Sequence, residues 1–176
     1  RSQGSFKIIC GRAGGGKSYA LDASREAYQK SGKRVIGLAP TNMVAQDMAV
    51  DGFKEARTIH SELYRQKTGE KPWNKKTVLL IDEAAMLENA TLKDLLEAAV
   101  KAKCKVILCG DDRQLLSVGR GGIFGELMKR YGAATIKQVV RQKVDWQRAA
   151  AQALSERRID SAVRLFAENK AIIASD

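Results

Sequence analysis

The sequence is poor in the residues that build metal centres, disulfide frameworks and membrane spans. It holds one histidine and three cysteines in 176 residues. Cys10, Cys104 and Cys109 are odd in number, none stands at CxxC spacing, and each lies in or beside an apolar, strand-like run. That arrangement argues against a disulfide framework or a zinc site and fits reduced, buried thiols in a cytoplasmic protein. The single histidine, His60, has no second His or Cys at ligand spacing, which argues against a metal ligand. The longest apolar runs are four or five residues, too short to cross a bilayer. The N-terminal RSQGSFKIICG also lacks the apolar stretch of a secretory signal. The chain opens on Arg1 rather than Met, as a piece of a longer protein does.

Acidic residues are scarce too: 20 Asp and Glu face 31 Lys and Arg, giving a net charge of +11 and a pI near 9.7. Such a field attracts polyanions, so nucleic acid heads the list of partner classes, with a plain basic surface as the alternative. Apolar content of 44% with 29% charged residues is that of one globular domain with a proper core.

What is present is an alternation of short apolar runs and amphipathic stretches. This is the pattern of βα units building a parallel sheet. Four runs, at 6–10, 35–39, 78–82 and 106–109, are near-continuously apolar, as strands covered on both faces should be. A weaker fifth lies at 133–136. The expected fold is therefore α/β, one sheet of about five parallel strands with helices on both faces. Helices are expected from Lys17 to a glycine cap at Gly32, then over 42–49, 61–67, 91–103, 123–130, 146–157 and 161–168. The 91–103 segment places Leu92, Leu95, Leu96, Ala99 and Val100 on one stripe, with Thr91 and Asp94 at capping-box spacing.

Residues 11–18 read GRAGGGKS, a match to G-x-x-x-x-G-K-[ST] between a strand and a helix. Gly11, Gly14, Gly15 and Gly16, with Ala13, let the backbone curl its N–H groups inward around phosphate oxygens. The helix beginning at Lys17 adds the positive end of its dipole. Lys17 supplies a point charge to the β- and γ-phosphates, the Ser18 hydroxyl a Mg²⁺ ligand, and Tyr19 completes the nucleotide-binding segment. The expected cofactors are thus ATP and Mg²⁺.

The stretch TVLLIDEA, residues 77–84, ends an apolar strand in two carboxylates. Asp82 would hold the metal and Glu83 would orient and deprotonate the attacking water, neighbouring side chains on an extended segment pointing opposite ways. A third strand ends in CGDDRQL, a position that can present a polar side chain to the γ-phosphate, which suits Gln114 because its amide can both donate and accept.

In order, GRAGGGKS, GLAPTNMVA, RTIHSELYR, VLLIDEAAM, CGDDRQL and VVRQKVDWQRAA resemble the motifs of superfamily 1 DNA helicases. The likeness extends to the RecD-like branch and, within it, to the helicase portion of the Ti-type TraA conjugative transfer relaxases. It implies a first RecA-like, ATP-binding domain over residues 1–176, with the second RecA-like domain absent from this chain. The implied activity is ATP-driven 5′ to 3′ movement on single-stranded DNA, with a fragment that binds nucleotide but is weakly active. Gln114 then couples γ-phosphate to DNA, and Arg141 in VVRQ stabilises transition-state charge. Pro40, Thr41, Asn42, Thr58 and His60 match segments that touch the DNA backbone, although His60 also suits a capping or packing role. Two departures from the family pattern are Gly15, where Thr is usual, and Leu116–Ser117 after the GDxxQL glutamine. A more flexible phosphate cradle is the expected effect of the first. A monomer with no membrane contact is the expected state.

Two other classes fit part of the pattern. One is a P-loop nucleotide or small-molecule kinase, which would need an acceptor pocket and an Arg-rich lid. The other is a nucleic-acid-binding module with a vestigial ATPase. The segment RQKTGEKPWNKK, with five basic residues around Trp73, reads either as a solvated loop or as a single-strand grip.

Overall fold

The structure is a computed structural model describing residues 5–12, 15–111, 123–136, 144–155, 158–169 and 171. Its strands are β1 (Phe6–Gly11), β2 (Arg34–Ala39), β3 (Ala56–Thr58), β4 (Thr77–Ile81), β5 (Lys105–Gly110) and β6 (Ala134–Ile136). They form one sheet in the order β3-β2-β4-β5-β1-β6, every described pairing parallel. The helices are α1 (Lys17–Lys30), α2 (Asn42–Val50), α3 (Ile59–Lys67), α4 (Asn89–Lys101), α5 (Ile123–Tyr131), α6 (Asp145–Ser155) and α7 (Ile159–Glu168). A short 3-10 turn, Ala84–Met86, follows β4.

The strands are apolar almost throughout because both faces are covered. Ile36, Leu38, Leu79, Ile81 and Leu108 face one core, shared with Ile59 of α3, Leu92 and Leu95 of α4 and Phe124 of α5. The alternate positions Val35, Val78, Leu80, Ile107 and Cys109 face a second core with Leu21 of α1 and Ala45 and Met48 of α2. Gly37 in β2 is where the second core comes closest, since a Cβ there would lie 2.8 Å from Phe53 and 2.9 Å from Met48. The three cysteines are free and buried, as expected. α6 and α7 pair with each other, Trp146 meeting Phe166 edge to face at 5.7 Å.

Four details correct the sequence reading. The sheet has six strands rather than about five, because β3 is three residues, Ala-Arg-Thr, with no apolar run to announce it. α4 starts two residues before Thr91, with Glu88 as its N-cap and no side-chain cap bond, so the Thr91–Asp94 pair lies inside the helix. Val100 is 77% exposed: the buried stripe is Leu92, Leu95 and Ala99. Trp73 is no exposed grip for bases, for its ring is buried and its Nε1–H donates to Glu62 Oε1 at 2.6 Å.

Glu62 is itself only 1% exposed, and it also accepts from Arg57 at 3.0 Å and Gln66 at 3.0 Å. Next to it, Glu55 receives both arms of Arg34, at 3.0 and 2.8 Å, and the ammonium of Lys71 at 3.1 Å. These two carboxylates tie β2, β3 and α3 to the loop ahead of β4. The Arg34 guanidinium, helped by Lys71, holds the Glu55 carboxyl down at about 2 against burial that pushes it up.

Removing Glu62 strands the indole donor and leaves the part-buried Arg57 with only its longer pair to Glu55, at 3.7 Å. Glu62→Ala is expected to lower stability in urea denaturation by about 3 kcal/mol, and a loss under about 1 kcal/mol would show the cluster to be peripheral. A depressed folded-state pKa gives stability that is complete above the unfolded value and lost as pH falls. The Glu55 contribution should therefore disappear between pH 4.5 and about 2. Glu55→Gln should flatten the acid limb of the stability curve in that window, measured by thermal melting at stepped pH.

Candidate functional site

All strands point the same way, so the segments leaving β1, β4 and β5 meet along one edge of the sheet. Ligands of such sheets bind at that edge. The loop leaving β1 turns sharply. Gly15 N–H donates to Arg12 O at 2.8 Å, and a Cβ on Gly15 would stand 2.9 Å from that same oxygen. Glycine is thus required at position 15 by the turn, which replaces flexibility as the account of the missing threonine. Gly16 takes the left-handed conformation, φ 87°, and hands the chain into α1. At Gly11 a Cβ would lie 3.1 Å from Lys17 Cγ, so the bare backbone lets the lysine stem fold back over the strand.

Lys17 is 7% exposed, and its ammonium stands 3.5 Å from Glu83 Oε1. Neither Lys17 Nζ nor Glu83 Oε2 has a hydrogen-bond partner, although both atoms are buried. A buried ammonium without hydrogen bonds is costly unless a ligand completes it. Phosphate oxygens on Lys17 and a water on Glu83 supply the missing partners, so this donor set fits a nucleoside triphosphate.

Asp82 is also buried, its N–H donating to Leu38 O at 2.9 Å. Its Oδ1 accepts the Glu83 N–H at 2.8 Å. Burial pushes its carboxyl above the usual range, the Glu83 carboxylate adds to this, and Lys17 opposes it. A bound cation would reverse that penalty. The two carboxylates do separate, but by a left-handed turn at Glu83, φ 47° and ψ 39°, because β4 ends at Ile81. The extended geometry expected from sequence does not reach Glu83.

Ser18, Asp82 and Glu83 line a cavity of about 420 Å³ whose far wall is α2, with Asp47 and Asp51. These two acids stand one turn apart, a spacing present in the sequence. Among the described residues no three His, Cys, Asp or Glu side chains cluster as a metal cage. Mg²⁺ here would be held by Ser18 and Asp82 together with phosphate oxygens, as such ions usually are. Tyr19 sits on the first turn of α1, 75% exposed. Asp111, just past β5, is buried at the same edge. Ala13, Gly14, Gln114 and Arg141 lie outside the described residues.

The segments singled out for DNA lie at the same edge, two strands along. Ala39 of β2 pairs with Thr58 of β3, so the N-termini of α2 and α3 stand side by side. Thr41 caps α2, its Oγ1 accepting from Val44 N–H at 3.4 Å, and Thr58 caps α3, accepting from Ser61 N–H at 3.3 Å. Thr41, Asn42 and His60 are exposed, while Pro40 and Thr58 are half-buried. The cap belongs to Thr58, which leaves His60 neither a capping nor a packing residue.

Among the described residues no helix is long and apolar enough to cross a membrane. The AAA domain family matches residues 1–176, the whole chain. The conjugal transfer protein TraA of Agrobacterium fabrum is 32% identical over 165 residues, covering 94% of this chain and 15% of that protein. A probable conjugal transfer protein TraA of Sinorhizobium fredii is 30% identical over 168 residues, 96% of this chain and 15% of the relative. The multifunctional conjugation protein TraI of Escherichia coli K12 is 28% identical over 153 residues, 82% of this chain and 9% of its own length. The chain spans about 15% of the TraA relatives it matches. With its parallel sheet and phosphate loop, the chain belongs to the AAA domain family, in its RecD-like helicase branch.

Proposed function

We propose that this chain is the ATP-binding motor domain of a cytoplasmic conjugative DNA helicase. The observation that carries the reading is the buried Lys17 ammonium facing Glu83, both short of hydrogen-bond partners, at the end of a phosphate loop. The loop N–H groups and the α1 dipole receive the β- and γ-phosphates, and Lys17 neutralises them. Ser18 and Asp82 would hold Mg²⁺, which would supply positive charge to offset the charge that develops on the phosphate. Glu83 takes the proton of the attacking water. Gln114 senses the γ-phosphate, and Arg141 supports the transition state from beyond β6. The adjoining N-termini of α2 and α3 offer free N–H groups to the phosphates of a single strand, with Pro40, Thr41, Asn42, Thr58 and His60 around them. The chain acts with a second RecA-like domain, so alone it binds nucleotide and turns over slowly.

Lys17→Ala is expected to weaken ADP and ATP binding by about 10- to 100-fold in calorimetry, the loss of a charge-assisted contact. Wild-type affinity in that variant would remove the phosphate site. Glu83→Gln, in a protein that includes the second domain, should retain binding and slow hydrolysis by about 10²- to 10⁴-fold. Turnover should rise when single-stranded DNA is added to the same longer protein. Phosphate appearing on a small acceptor would instead make it a kinase, and no turnover with or without DNA would leave a binding module.

A further inference from the structure

The opposite edge of the sheet carries no part of the proposed ATP site, yet four lysines, Lys33, Lys75, Lys76 and Lys103, gather there. Because the strands are parallel, all of them enter along this edge. Arg34 of β2 pairs with Thr77 of β4, and Val78 of β4 pairs with Lys105 of β5. Lys33, Lys76 and Lys103 stand at the entrances of these three strands, each just ahead of its paired rung. With neighbouring strands about 4.8 Å apart, the three backbone positions form a row about 10 Å long. Lys75 adjoins it, and the Lys33 ammonium reaches Lys75 O at 3.4 Å.

Three observations set this row apart from an ordinary solvated face. First, Lys33, Lys75, Lys76 and Lys103 make no ion pair with any carboxylate among the described residues; Lys7, Lys54, Lys67, Lys101 and Lys105 also have none, but Lys33, Lys76 and Lys103 are aligned across three adjacent strands. The nearby acid, Glu55, is already saturated by Arg34, Arg57 and Lys71. Second, the helix dipole accounts for lysines in a last helical turn, such as Lys30 and Lys101, but Lys33 and Lys103 stand beyond the helix ends and Lys76 follows a loop. Third, Lys103 holds a left-handed backbone, φ 57°, at a helix exit where the equivalent turn after α1 uses Gly32, φ 73°. A strained lysine is kept where glycine fits without strain.

We propose that this edge is a second nucleic-acid surface, which binds the phosphodiester backbone of duplex DNA without reading sequence. Lysine heads are compact point charges that suit phosphates, and a linear row of them suits a chain of phosphates. Of the two rings near the row, Trp73 is buried under Glu62, and the half-buried Tyr28 already has the Lys105 ammonium over its face at 5.6 Å, so neither is an open platform for unstacked bases. Charge density alone then decides, and a duplex carries more of it than a single strand. The surface shares only its class of partner with the helicase reading. Its test uses nucleotide-free protein, so either can fail alone.

The test compares the 176-residue chain with a Lys33→Gln, Lys76→Gln, Lys103→Gly variant. Binding of a fluorescent blunt 20-base-pair duplex and of a labelled oligo-dT is followed by anisotropy from low to moderate salt. The variant should bind duplex at least about tenfold more weakly, with a salt slope smaller by about three, and lose less affinity for oligo-dT. Its melting temperature should not fall, since Lys103→Gly relieves strain. A control variant, Lys67→Gln, Lys93→Gln, Lys129→Gln, removes equal charge elsewhere. An equal loss in the control would overturn the location, and an unchanged duplex affinity and slope would overturn the surface. A larger loss for oligo-dT would overturn the duplex preference. Equal binding of anionic phosphatidylserine vesicles or of a polyglutamate peptide would overturn the nucleic-acid assignment.

Discussion

Parallel register is the constraint on which the remaining structure depends. Each strand must be returned to the same starting edge by a crossover, and each crossover helix then covers a face of the sheet. This gives every strand two buried faces. It also collects the segments after β1, β4 and β5 at one edge, although they are far apart in sequence. β5 separates β1 from β4 in the sheet, a gap of roughly 10 Å between their backbones. Lys17 and Glu83 close it from either side. Gly110 allows the closure, since a Cβ at the end of β5 would stand 3.0 Å from Ala85 N and from the Phe124 ring. The turn carrying Glu83 can therefore fold over the strand end and aim its carboxylate at the lysine.

The same register sorts charge. Helix N-termini, with free N–H groups and positive dipole ends, fall on the side of the phosphate loop, and their C-termini point away from it. Near the positive end of α1 the chain sets Asp82 and Glu83, and the C-terminal half of α2 adds Asp47 and Asp51 to the wall of the same cavity of about 420 Å³. A site with both a buried ammonium and a wall of carboxylates suits a ligand that is itself both anionic and metal-bearing. At the opposite edge, lysines beyond the helix ends have no such counterweight.

The strands and the phosphate loop were legible because they rest on local signals: apolar runs of strand length, and glycines at fixed offsets from a lysine. The same holds for the cap at Gly32, where a left-handed residue was needed and found. What escaped notice depends on tertiary partners. β3 is a strand only because Ala56–Thr58 lies against β2, and three residues carry no period. Val100 fits the helical stripe, but no neighbouring element reaches it. Trp73 sits among lysines in sequence, yet a glutamate 11 positions earlier draws it into the core. Gly15 looked like a loosened cradle, and only the closeness of Arg12 O shows why a side chain is excluded.

On the proposed reading both edges of the sheet meet phosphates, but by opposite physical means. At the catalytic edge the cation is buried, held by a countercharge and surrounded by backbone donors whose directions are fixed. Selectivity there comes from geometry, and bulk salt screens a buried pair weakly. At the other edge Lys75, Lys76 and Lys103 are exposed and without ion pairs among the described residues. Their attraction depends on counterions released from a polyanion and fades within about 10 Å at moderate salt. On that reading one small sheet would hold a compact triphosphate by shape at one end and an extended phosphate chain by charge at the other, without either ligand competing for the other's place.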